Sequence, residues 1–436
     1  MKARNLALGL VAGAAFAVPV AVTAASAQSI FIPMGTYRTG PFAPNGTPIA
    51  NGFRDWYTLL NKRDGGIEGV KINFEECEFG YNTAKGVECY EKLKGKGSLV
   101  IAPFSTGVTY KLVPKAPVDK IPILSMGYGM SAAADGRYFP WVFNFPMTYW
   151  SQATGIIKYI GGVEGGIEKL QGKKIGFIYL ESSYGREPIP VFKALAKRYG
   201  YRLNTYSVPG KSMQDQRSQW RKIVRARENW MIMWGWGAMN STAIQRASEF
   251  GFPVNKFIGV WWSGSETDVV PNGKAAIGYR AANMHATGTG FPAHADIVKH
   301  VYGGDRAKAM QNNFGEVLYN RGLYNALMHT EAIRWAIKKH GKKVTGEHVR
   351  EGLENMNMTA ARLTQLGLGG FAKPFKVSCA DHEGNGLMHI QQWDGKKWNK
   401  VSGWITPDRK LVRALVEQAA VKEAAKFGYK KRANCN

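Results

Sequence analysis

The sequence predicts an α/β protein of two doubly wound lobes, joined by a hinge that the chain crosses several times. Three observations carry this. Strand and helix patterns alternate twice, from Ser29 to Gly129 and again from about Thr148 to Arg280. Within the second run, Trp230–Trp234 reads as a buried strand that stops at Gly235 and feeds a helix starting near Asn240. The last third, from about Gly278, mixes a long helix, short helices and a hairpin, as a chain recrossing between lobes would. Each lobe is therefore Rossmann-like, with a ligand cleft expected where the carboxyl edges of the two sheets face each other.

The elements follow in order. Ser29 to Gly35 is an apolar strand, followed by a loop rich in Gly and Pro up to Gly46. Thr47 and Pro48 are an N-cap and first-turn pair for a helix with Ile49, Phe53, Trp56 and Leu60 at helical spacing. Val70–Glu76 alternates as a strand, Thr83–Leu93 is helical, and Leu99–Ala102 and Ile121–Ser125 are buried strands. The second run has strands at Lys174–Leu180, Arg202–Val208, Trp230–Trp234 and Lys256–Val260. Helices are expected at Tyr149–Tyr159, Glu187–Tyr199, Gln214–Arg225 and Asn240–Gly251. Gly278–His285 crosses back as a strand, and one long helix lies within Phe314–His340. Asp394-Gly395 marks a hairpin turn inside Val377–Trp398, and Leu411–Phe427 closes the chain as a helix.

Length and composition narrow the class. A chain of 436 residues that is 45% hydrophobic can bury two cores. The start, Met-Lys-Ala-Arg, then an apolar run from Leu6 to Val22, then Ala25-Ser26-Ala27, is the pattern of a secretory signal peptide cleaved before Gln28. Four cysteines suit an oxidising compartment, and no close pair of the CxxC kind suggests zinc. Two disulfides are favoured, Cys77 with Cys89 and Cys379 with Cys435. The net charge of +26 would suit nucleic acid, but the positive residues are scattered and no nucleic-acid motif accompanies them. The charge reads as solvated surface with a bias towards anionic ligands or an acidic partner.

With these residues in view, the chain resembles the Leu/Ile/Val-binding family of substrate-binding proteins for ABC importers, which have the type I periplasmic-binding fold. The likeness rests on an ordered set: Arg38-Thr-Gly-Pro-Phe42 with Gly46, Asn61 to Gly69, Val100 to Thr106, Pro122 to Gly129, Ser182-Ser-Tyr-Gly185, Trp234 to Gly251, and Phe257-Ile-Gly-Val-Trp261. It covers nearly the whole mature chain. The Trp-Gly-Trp-Gly run and Ser378 to His382 resemble a subgroup linked with aromatic or other hydrophobic carboxylates. The resemblance implies a monomer in the periplasm, a small-molecule ligand and an ABC permease as partner, with no nucleic acid, cofactor, metal or catalytic residue. It divides the chain into a leader at 1–27, one lobe from 28–147 with 284–376, and another from 148–283 with 377–436.

By the same resemblance, Ser105, Thr106, Gly127 and Gly129 fall where amino-acid carriers hold the ligand carboxylate, and Tyr184 falls on a ligand-facing tyrosine. The acid that pairs with a ligand ammonium falls at Trp261, and an indole cannot neutralise a buried ammonium by an ion pair. What remains is a ring-lined edge of Phe42, Tyr128, Tyr184, Trp234, Trp236 and Trp261, suited to a flat or greasy ligand. Of the neighbours Trp261 and Trp262, alternation along a strand would send one to the core and one to the site. His285 reads as structural, and Arg38 and Arg54 as surface. The alternatives are a carrier of branched-chain amino acids or amides, a sensor subunit, or an exported enzyme. For an enzyme there is no Gly-x-Ser-x-Gly and no HExxH, and Asp381-His382-Glu383 is the nearest candidate cluster.

Overall fold

The computed structural model describes residue 1 and residues 29–435. Apart from Met1, the leader and its cleavage point lie outside the described residues. In the first lobe, β1 (Ser29–Thr36) and β2 (Lys71–Glu78) pair in parallel along their full length. The strand expected at Leu99–Ala102 forms only single parallel bridges, Phe31 with Ser98, Met34 with Ala102 and Ile101 with Ile123. These bridges link β1 to β3 (Ile123–Leu124), which pairs in parallel with β4 (Val142–Phe143). Pro103 and Pro122 bracket these short pairings and have no N–H to extend them.

The second lobe holds the larger sheet. It runs through β5 (Lys174–Leu180), β6 (Arg202–Val208), β7 (Trp230–Trp234), β8 (Phe257–Gly259) and β9 (Arg280–Asn283), all parallel. A small antiparallel pair, β10 (Asn357–Met358) and β11 (Phe375–Lys376), lies outside it. The expected hairpin is β12 (His389–Trp393) and β13 (Trp398–Lys400), and β12 docks antiparallel on β9, extending the sheet to seven strands. The Asp394 carboxylate accepts the N–H groups of Lys396 and Lys397 and so closes the hairpin turn. All five residues of β7 are buried, because β7 is flanked on both edges by β5 and β8 and covered by helices.

Several helix boundaries shift by one to four residues from the sequence reading, and two of the shifted starts have a clear local cause. The first helix begins at Ala43, one turn early, with Pro44 in its first turn and Pro48 inside it. Its N-cap is Phe42, so Thr47 caps nothing. The helix after Tyr184 starts at Ile189, since Ser182 caps a separate short turn at Ser183–Arg186.

Two long helices hold the first lobe to the returning chain. Ala43–Arg63 and Val317–His340 cross where Gly52 meets Gly322. A Cβ on Gly52 would lie 1.9 Å from the Tyr319 carbonyl oxygen, and one on Gly322 would lie 2.0 Å from that of Ile49. Only hydrogen at both positions lets the backbones come this close. Trp56 Nε1 then donates to Thr330 Oγ1 and Tyr57 meets His329 across the same pair.

The tail is stapled down. The helix Arg409–Lys426 packs on residues 131–134 and on the helix Tyr149–Val163. Arg409 binds both Asp381 and Glu383, and Glu383 also accepts the N–H and hydroxyl of Thr148 at 2.9 and 2.7 Å. Asp381-His382-Glu383 is thus a structural joint, with all three side chains engaged in packing. Disulfides join Cys77 to Cys89 and Cys379 to Cys435, with sequence separations of 12 and 56. In the chain-entropy account, opening the first costs about 3 kcal/mol and the second about 4 kcal/mol. Urea unfolding of Cys77→Ser and Cys379→Ser variants under oxidising conditions is expected to show this order.

Candidate functional site

The site is built from strand ends. β7 ends at Trp234, and the chain turns through Gly235-Trp236-Gly237 into the helix Ala238–Glu249. β8 ends at Gly259, so Trp261 and Trp262 lie past the strand, in a turn. Strand alternation therefore does not separate them, and both are buried where the lobes meet. From the other lobe come Tyr37 after β1, Tyr81 after β2, Ser105 and Thr106 at the helix Thr106–Leu112, and Gly127–Gly129 after β3.

These groups interlock. Trp236 lies among Tyr37, Tyr81 and Tyr128 at ring distances of 6.2, 6.3 and 6.4 Å. Tyr128 packs on Trp262 at 4.2 Å, and Trp261 stacks on Tyr149 at 5.4 Å. Trp261 also presses on Gly127, where a Cβ would come within 2.3 Å of the indole and φ is +78°. Polar contacts complete the seam. Ala238 N donates to Pro41 O at 3.0 Å, Asn45 Nδ2 to Asp268 at 3.1 Å, and Ser131 N to Glu187 at 2.6 Å. The two lobes are closed on each other.

Of the expected site residues, Phe42, Ser105 and Tyr184 line a cavity of about 440 Å³ at the mouth of the seam. Phe42 also packs on Tyr81 at 4.5 Å. Ser105 caps its helix through Val108 N, and Tyr184 donates to Gly235 O at 2.9 Å. Thr106, Gly127, Tyr128, Gly129, Trp236 and Trp261 lie in the closed seam itself. Trp234 sits deeper, against Phe177 and Phe192 of its own lobe, with one edge to Tyr149. Arg38 pairs with Glu76 through two nitrogens, and Arg54 pairs with Asp55.

Four further residues belong to this region. Tyr81 and Arg186 line the cavity, and the strand-end rule applied to β2 would have found Tyr81. Glu187 carries a buried Oε2 with no hydrogen-bond partner among the described residues, beside Gly129 and Thr106. Arg321 is 1% exposed on the helix Val317–His340. It falls on the apolar stripe Val317, Tyr324, Met328, and a charge on such a stripe is the signal that would have singled it out.

Electrostatics follow from burial. Burial keeps His285 neutral, so its Nδ1–H donates to Ala286 O while Nε2 accepts from Arg321 Nε at 2.7 Å. Burial also lowers the Arg321 guanidinium to about 9, which leaves it charged at neutral pH. The indole nitrogens of Trp234, Trp236 and Trp261 are buried without an acceptor among the described residues. No group of three or more His, Cys, Asp or Glu that could hold a metal occurs among the described residues.

Two α/β lobes closed on each other along a seam of packed rings, with a cavity at its mouth, define a solute-binding protein. The family described as periplasmic binding protein matches residues 29–397, and the chain belongs to it. A solved structure from the Pseudomonas fluorescens group, described as an ABC transporter permease, is 38% identical with a TM-score of 0.85, covering 93% of this chain and 99% of that one. A branched-chain amino acid ABC transporter protein from Thermus thermophilus with bound valine is 20% identical at TM-score 0.73, over 89% and 98% of the two chains. An ABC transporter solute-binding protein from R. palustris, in complex with benzoate, is 16% identical at TM-score 0.68, over 87% and 97%. No curated protein sequence matches the chain.

Two expectations follow. Gly127→Ala forces the Trp261 ring away and strains a positive-φ position by about 1–2 kcal/mol. Small-angle scattering is expected to show its radius of gyration staying larger than that of the wild type when ligand is present. Separately, burial raises the Glu187 carboxyl from 4.5 to about 7, opposed by its hydrogen bond from Ser131. A group raised on folding contributes stability that is whole below its unfolded value and is lost as pH climbs through its folded one. Between about pH 4.5 and 7 this group is expected to cost at most about 3 kcal/mol, since part of the residue reaches solvent. Thermal unfolding across that range should show Glu187→Gln with the smaller fall.

Proposed function

We propose that the closed gap takes a small aromatic or hydrophobic carboxylate, which a monomeric, exported chain captures and hands to an inner-membrane ABC permease. The carrying observation is that the indole N–H groups of Trp236 and Trp261 are buried without acceptors among the described residues, in the ring-packed seam between the lobes. Rings favour a flat apolar body, and orphaned donors favour an acceptor at its end. The benzoate-bound relative supports this reading. The leader at 1–27, cut before Gln28, provides export in this reading. The lobe division 28–147 with 284–376, and 148–283 with 377–436, places the moving seam where the rings meet. Closure about that hinge is what the permease reads.

The unpartnered Oε2 of Glu187 favours a second reading, a solute with an amine such as a branched-chain amino acid or its amide. The two separate in calorimetry with benzoate, 4-hydroxybenzoate, cinnamate, hexanoate and leucine. The first reading expects micromolar or tighter binding of an aromatic acid and none of leucine. Leucine binding without any aromatic acid supports the second and overturns the first.

A further inference from the structure

We infer that Arg321 is the charge partner of the solute's anionic group. This rests on the carboxylate reading above and goes beyond it by naming the residue that answers the charge. Arg321 sits one residue from Gly322, on the helix that the Gly52–Gly322 crossing fixes. Its partners are all neutral: His285 Nε2 at 2.7 Å, Trp261 O at 3.2 Å and Asn283 Oδ1 at 2.8 Å. A guanidinium has five N–H donors, so two have no acceptor among the described residues. No carboxylate lies within ion-pairing distance among the described residues. The buried acids of the region are turned elsewhere: Glu266 to Val317 N, Asp268 to Asn45, Asn240 and Ser265, and Glu187 to Ser131 N.

A buried cation without a counter-charge is strongly unfavourable. Arg321 nevertheless sits at the seam, 5.0 Å over the face of Trp262, whose other neighbours are Tyr128 and Trp236. Trp261, whose carbonyl Arg321 binds, also carries a buried indole N–H with no acceptor among the described residues. Surplus N–H donors and one surplus positive charge therefore gather at the closed seam. An anionic acceptor satisfies both, and a carboxylate matches the planar fork of the guanidinium.

The test compares charged and neutral ligands of one shape: benzoate with benzamide, and hexanoate with hexanamide, by calorimetry at pH 7.5. Wild type is expected to prefer the acid of a pair by roughly 10- to 100-fold. Arg321→Met should weaken the acid far more than the amide and so abolish that preference, and Arg321→Lys should keep part of it. Near-UV circular dichroism confirms folding, and Arg321→Lys with the wild-type pairs decides the matter if Arg321→Met does not fold. Arg321→Met that keeps the preference, or weakens acid and amide alike, overturns the assignment. So does a wild type that shows no preference in either pair. Discrimination between hexanoate and hexanamide with both aromatic ligands silent sustains Arg321 and overturns the aromatic reading alone.

Discussion

The contact of Trp261 with Gly127 is the constraint on which the closed form depends. It brings the turn after β8 against the turn after β3, and everything else in the seam follows from that approach. With the indole seated on a residue that has no side chain, Tyr149 can stack on its face and Tyr128 can lie on Trp262. The main chain of Trp261 then comes within reach of Arg321. A larger residue at 127 would push the Trp261 ring off the turn after β3.

The two lobes supply different things to this seam. The second, with its deep parallel sheet, brings indoles on short, fully buried turns, and its own core holds Trp234 behind them. The first, with a sheet reduced to short pairs, brings tyrosines, glycines and a helix start. Its rigidity comes less from strand pairing than from the crossing of two long helices at paired glycines. That crossing also fixes the helix that carries Arg321, whose guanidinium is then oriented by His285, Asn283 and the Trp261 carbonyl.

Much of this was legible in the sequence, for identifiable reasons. β7 was read to the residue, because five consecutive apolar residues ending at glycine leave little choice. The ring-lined edge was legible because Trp236, Tyr128 and Trp261 all follow strands, where open α/β sheets place ligands. The start of the first helix was misread because two prolines, Pro44 and Pro48, compete as first-turn residues and only packing of Gly46 on Tyr37 favours the earlier. The roles of Trp261 and Trp262 are not legible from alternation, because both lie past the end of β8. Glu187 and Arg321 were not legible as site groups. Their significance lies in which partners they lack, and partners across a closed seam are set by tertiary structure.

The acceptorless indoles have a consequence for traffic through a transporter. An unsatisfied buried N–H costs about 1–3 kcal/mol, and Trp236 and Trp261 each bring one into the shut form. Two such penalties bias an empty molecule towards gaping by roughly 30-fold or more. Cargo that supplies the acceptors removes the bias. Under the proposed function, the atoms that recognise the solute also disfavour an empty closed form, and with it ATP spent on vacant deliveries.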